Sequence, residues 1–99
     1  MDFELLDGYL LDGAPPKDEL VRKLLENRPK SGAAAPFYEG LARLGGRTPD
    51  LALIALRLVL GGAKADDSTV TTARDLIARA KTGDQRARDE YRSFVQPPA

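Results

Sequence analysis

The 99-residue sequence contains no cysteine, no histidine and no tryptophan. Without cysteine there is no disulfide and no thiolate ligand, so the fold must stand on packing alone. That composition suits a reducing compartment, and a cytoplasmic location is the expectation. The further lack of histidine excludes Ser-His-Asp and Cys-His catalysis, thiol redox chemistry, zinc fingers and the common transition-metal sites within this chain. Aromatic residues are sparse, at 6%. No apolar run approaches the roughly 20 residues that a helix needs to cross a bilayer. The opening MDFELLDGYLLDG is acidic and lacks the basic region that begins a secretory signal.

Hydrophobic residues make up 42% and charged residues 30%, values of a globular rather than a disordered chain. The length suits one compact domain. The expected organisation is a single helical domain over residues 1–96, with 97–99, which include Pro97 and Pro98, as a disordered tail. Net charge is zero, but the charges are segregated. Seven acids against three bases between Met1 and Glu26 leave minus four, and two acids against six bases between Asn27 and Lys64 leave plus four. Six of each follow. Such a chain either neutralises itself within one fold or orients against a charged partner.

Apolar spacing predicts five or six helices and no strand. The first runs over Asp2–Leu11, with Phe3, Leu6 and Leu10 on one face and Gly8 weakening it. Gly13, Pro15 and Pro16 end it. The second, Pro16–Arg28, carries the stripe Leu20, Val21, Leu24 and Leu25, with Glu19–Lys23 and Arg22–Glu26 as surface pairs four apart. After the link SGAAAP, a third helix begins at Pro36, aligns Phe37, Leu41 and Leu44, and stops at Gly45. Thr48-Pro49-Asp50 reads as the opening of a fourth: a capping hydroxyl, a proline in the first turn and an acid near the free amides. A fifth helix runs from Thr69 or Thr72 to Lys81, capped by Ser68 or Thr71, with Val70, Ala73, Leu76, Ile77 and Ala80 inward. A sixth covers Asp84–Val95 and buries Ala87, Tyr91, Phe94 and Val95. Outside it, Asp84 pairs with Arg88 and Arg86 with Glu90. The expected fold is all-α, a compact orthogonal or antiparallel bundle of short helices.

The fourth helix is the most apolar segment, LALIALRLVLGG, closed by Gly61 and Gly62. Leu51, Ile54 and Leu58 line one side, and Leu53, Leu56 and Leu60 another. Arg57 alone marks a wet strip. A surface helix is usually apolar over about one third of its circumference, so both sides of this one need cover. Neighbouring helices of the chain are the first choice, and a partner or a second copy the other.

Little in the sequence points to chemistry. Asp66-Asp67 is a dense acidic pair, and two adjacent acids do not make the six to eight oxygens that calcium takes. Gly45-Gly46-Arg47-Thr48 and Gly61-Gly62-Ala63-Lys64 lack the spacing of a phosphate-cradling loop and read as turns and caps. No cofactor, metal ligand or catalytic residue is assigned, and the chain is not expected to be an enzyme. An enzyme here would have to work with Asp, Glu, Tyr and Lys only. Helix–turn–helix is suggested by LARLGGRTPDLALIALRLV, yet its second helix offers leucine and alanine where a groove reader needs polar side chains.

The expected function is that of a non-catalytic protein–protein interaction module: an adaptor, assembly chaperone, regulatory protein or small accessory subunit. Its partner would be another protein or a second copy of itself, giving a dimer. Tyr9, Leu11, Phe37 and Tyr38 are the candidate interface anchors, with core packing as the competing role for each. The alternative is a small nucleic-acid-binding protein whose Arg43, Arg47, Arg86, Arg88 and Arg92 contact phosphate. The abundance of alanine, leucine, arginine and glycine fits a bacterial source.

Overall fold

Local capping chemistry sets several of the helix ends in the computed structural model, which describes residues 2–96. Its elements are α1 (Asp2–Asp12), α2 (Lys17–Glu26), α3 (Ala35–Leu44), a 3-10 turn (Gly45–Arg47), α4 (Asp50–Leu60), α5 (Asp67–Lys81) and α6 (Gln85–Val95). The fold is a compact all-α bundle of six short helices, and no strand occurs among the described residues. The tail expected at 97–99 lies outside the described residues. None of the described helices is long and apolar enough to cross a membrane.

Two helices end in the same backbone device. The Gly62 and Ala63 amides donate to the carbonyls of Val59 and Leu58, and those of Gly83 and Asp84 to Ala80 and Arg79. This pairing needs a left-handed residue at its bend, and Gly62 (φ 86°) and Gly83 (φ 98°) supply it. The second bend folds α6 back along α5 as a helical hairpin, with Asp84 capping α6 by accepting from the Ala87 amide at 3.1 Å. Asp84 is therefore occupied as a cap, and Arg88 instead reaches Asp12 of α1 at 2.9 Å. The expected Asp84–Arg88 pair is corrected accordingly.

Two other caps differ from expectation. Asp66, not Ser68 or Thr71, caps α5, accepting from the Thr69 amide at 2.8 Å. The helix thus begins at Asp67, where the acid also meets the positive helix end. Thr48 does not cap α4. It is buried, and its hydroxyl donates to the Gly45 carbonyl at 2.8 Å, closing the 3-10 turn.

The core runs continuously through all six helices. α1 and α4 pack together at its centre, α2 lies on α1, α3 on α2 and α4, and α5 against both central helices. Leu6, Leu20, Leu53, Leu56 and Leu58 are wholly enclosed. On α3 the buried face is Ala35, Tyr38 and Leu41 rather than Phe37, Leu41 and Leu44, and Leu44 is 42% exposed. Cover for α4 comes from its own chain, with burial beginning at Leu53; Leu51, two residues earlier, stays 45% exposed.

Arg57 corrects the reading of α4 most sharply. It does not mark a wet strip but is 1% exposed, the largest fully buried side chain among the described residues. The strip that carries it faces α1 and the end of α6, and both supply oxygens. Its Nε donates to Asp7 Oδ1 at 2.8 Å and its Nη2 to Asp7 Oδ2 at 3.4 Å. Nη1 donates to the Val95 carbonyl at 3.3 Å, and Nη2 also to Gln96 Oε1 at 3.2 Å. The Phe3 ring lies under the guanidinium, 4.6 Å from centroid to Cζ, the face-on approach that favours a cation.

Candidate functional site

Three places on the molecule gather polar or apolar groups densely enough to be weighed as a site. The first surrounds Asp7. Besides Arg57 it accepts a hydrogen bond from the Tyr91 hydroxyl at 2.7 Å. Asp7 faces a hollow of about 200 Å³ between α1 and α6, where the Asp12–Arg88 pair also sits. The donors of Arg57, Tyr91 and Arg88 each have an acceptor on another helix, and no buried side-chain polar atom among the described residues lacks a partner. The cluster ties α1, α4 and α6 together, and Glu4 and Arg92 complete the lining of the hollow.

Tyrosine ionisation carries the signature of this tying. Burial, followed by the Asp7 charge, pushes the Tyr91 phenol well above its ordinary range. Tyr38, whose hydroxyl donates to Asp2, is raised by burial and then by that hydrogen bond. Both phenols hold their protons in the folded chain and release them near the ordinary value of 10.0 when unfolded. A folded pKa above the unfolded one gives stability that is complete below pH 10.0 and lost as pH rises beyond it. Urea unfolding from pH 8 to 11 should show stability falling above about pH 10, by about 1.4 kcal/mol per pH unit for each such tyrosine. Tyr91→Phe should flatten that limb, and an unchanged slope would contradict the assignment.

The second place is the contact of α1 with the starts of α2 and α4. Lys17 Nζ bonds Asp50 Oδ1 at 2.8 Å and the Thr48 carbonyl at 2.8 Å. The Tyr9 hydroxyl donates to the same Asp50 oxygen at 3.0 Å. Burial alone would raise the Asp50 carboxyl, but the hydrogen bonds from Lys17 and Tyr9 outweigh it and hold the group below its ordinary range. The hydrogen bond to Asp50 in turn raises Lys17. The segregated charges seen in the sequence meet at Asp7–Arg57, acid-rich α1 against α4, whereas Lys17–Asp50 pairs a base of the acidic segment with an acid of the basic one.

The third is a groove of about 240 Å³ where α1, α4 and α5 meet. Leu10, Leu51, Ile54, Ile77 and Ala78 form its apolar lining, and Asp50, Arg74 and Lys81 its polar rim. At that volume it is smaller than the roughly 300–1,000 Å³ of ordinary small-molecule pockets. Its volume is that of one or two amino-acid side chains.

The anchors expected from the sequence do not converge. Leu11 and Tyr38 are core residues, 4% and 1% exposed, while Tyr9 and Phe37 are half-buried on α1 and α3. The arginines fall on three elements: Arg43 on α3, Arg47 in the 3-10 turn, and Arg86, Arg88 and Arg92 on α6. Arg88 is engaged by Asp12, and Asp89 and Glu90 interrupt the α6 set. No group of three or more acidic residues is placed to hold a metal ion among the described residues. The groove residues Arg74 and Lys81 were not singled out by sequence reasoning. Their signal was the spacing Arg74, Ile77, Lys81, which puts two cations and an apolar residue on one side of a helix. Comparison with known proteins finds no matching family model, no matching curated protein and no matching solved structure.

Proposed function

We propose that the chain is a non-catalytic protein–protein interaction module that works through the groove between α1, α4 and α5. The observation that carries this reading is Leu51. It is 45% exposed in the lining of the apolar groove, on a helix whose Leu53, Ile54, Leu56 and Leu58 are buried. Exposed single leucines are ordinary, but one that continues into a concave apolar surface is a ready anchor, because a few central apolar contacts dominate most interfaces.

Site-specific photo-crosslinking tests the reading. A benzophenone side chain placed at position 51 should give a discrete protein adduct in the native host. The same group at exposed Ala42 on α3 serves as the control. Light scattering of the purified chain, 10.7 kDa as a monomer, then separates a foreign partner from a second copy. Identical adduct patterns at 51 and 42 would overturn the proposal.

A further inference from the structure

The rim of the groove carries a charge imbalance that specifies its occupant. Its one acid, Asp50, is held by Lys17 at 2.8 Å. Asp75, on the neighbouring face of α5, is held by Arg79 at 3.4 Å. Lys81 acts on Asp50 only from beyond ion-pair distance, as one of several influences that lower that carboxyl. Among the described residues neither Arg74 nor Lys81 has an ion-pair partner within 4.0 Å. Both side chains line the groove, with Ile77 between them. They stand seven residues apart on α5, two helical turns or about 10 Å along the axis.

From this we infer that the groove receives an acidic amphipathic helix from another protein. Its apolar face would seat against Leu51, Ile54 and Ile77, and carboxylates two turns apart would meet Arg74 and Lys81. A helix lying along α5 repeats the same 3.6-residue period, so acids at i and i+7 fall opposite the two cations while i+3 or i+4 points into the apolar floor. Charges at the rim set orientation and selectivity, and the apolar centre supplies most of the affinity. The inference rests on the interaction-module reading and adds the chemistry of the partner to it.

The test is selection from a phage-displayed library of random peptides of about 16 residues, long enough to form a helix on binding. The expected winners carry Asp or Glu at i and i+7 around Leu, Ile or Phe. Synthetic copies, followed by fluorescence anisotropy, should bind about tenfold more weakly to Leu51→Glu and to the double variant Arg74→Glu/Lys81→Glu. Binding should also weaken as salt rises from about 0.05 to about 0.5 M. All three positions are exposed, so these variants should fold, and their melting temperatures check that they do. Winners that depend on Leu51 but lack acids, or that bind Arg74→Glu/Lys81→Glu undiminished, would overturn the acidic partner and leave the module reading intact. The absence of any Leu51-dependent winner overturns the inference as well. The fate of the module reading is then decided separately by crosslinking at position 51.

Discussion

Replacing Asp7 by Asn should destabilise the protein by about 3 kcal/mol, more than replacing Arg57 by Met. The two residues form one ion pair, but the partners are not equivalent. Arg57 is 1% exposed, whereas the Asp7 side chain is 22% exposed beside the α1–α6 hollow. Asp7→Asn keeps an acceptor for the Tyr91 hydroxyl and for the guanidinium, yet it leaves a full positive charge enclosed with no counter-charge. Removing one member of a buried pair is costly for that reason. Arg57→Met removes the charge that needs compensation and keeps an unbranched apolar stem over the Phe3 ring. The orphaned Asp7 still has the Tyr91 hydroxyl at 2.7 Å and an opening to water. A chain of this size has a total stability of about 5–15 kcal/mol, so the Asn variant should melt at least about 12 °C lower. The decisive variant is the double one. Adding Arg57→Met to Asp7→Asn should recover stability, because the uncompensated charge disappears. Thermal and urea unfolding of the four proteins in the cycle measure this directly. A double variant less stable than Asp7→Asn alone would mean that Arg57 matters for its packing and its bonds to Val95 and Gln96 rather than for its charge.

The pair also shows where sequence reasoning reaches its limit. Features fixed within a few residues were legible. Pro49 stands one position earlier than the sequence places it, as the extended N-cap of α4 rather than its first residue, but the helix still opens beside it at Asp50 and closes at Gly61-Gly62, because proline stops and left-handed glycines act locally. The Leu20, Val21 and Leu24 stripe is buried for the same reason. The start of α5 was legible in principle: Asp66 stands three residues before Thr69, the spacing of an N-cap, but the acid pair reads more readily as loop. Arg57 was not legible. Periodicity says that a lone charge among leucines faces water, and only the arrival of Asp7, fifty residues earlier in the chain, and of the α6 terminus reverses this. The groove fails to show for a related reason. The pattern of α4 places Leu51 with Ile54 and Leu58 on one apolar side, but it does not reveal that the packing helices cover that side from Ile54 onward and leave its first turn open. Likewise Tyr38, an aromatic candidate for an interface, is claimed by the core once α2 and α3 pack.

Gly61→Ala should cost about 2 kcal/mol, while Gly46→Ala, a substitution of the same size in an equally tight place, should be neutral or slightly stabilising. Neither glycine has a positive φ, so an alanine fits the backbone conformation at both. The difference lies in what the added carbon meets. At Gly61 it would stand 1.9 Å from the Val95 carbonyl oxygen and 3.2 Å from Arg57 Nη1. That oxygen belongs to the last turn of α6 and accepts from Arg57, so it can yield only if α6 moves away from α4 and the guanidinium loses a partner. At Gly46 the carbon would stand 1.8 Å from Asp18 Oδ1, the tip of an exposed side chain at the start of α2. A carboxylate there can rotate into water at little cost. The lower entropy of alanine in the unfolded chain then favours the variant by up to about 1 kcal/mol. That same entropy gain is present at Gly61, where the steric displacement overwhelms it. Urea unfolding of the two variants gives the comparison, and equal stabilities would show that the α4–α6 junction yields as freely as a surface side chain. The displaced oxygen is Arg57's own acceptor. Combining Gly61→Ala with Arg57→Met should therefore cost less than the two changes summed, since the bond that the methyl group strains is already gone.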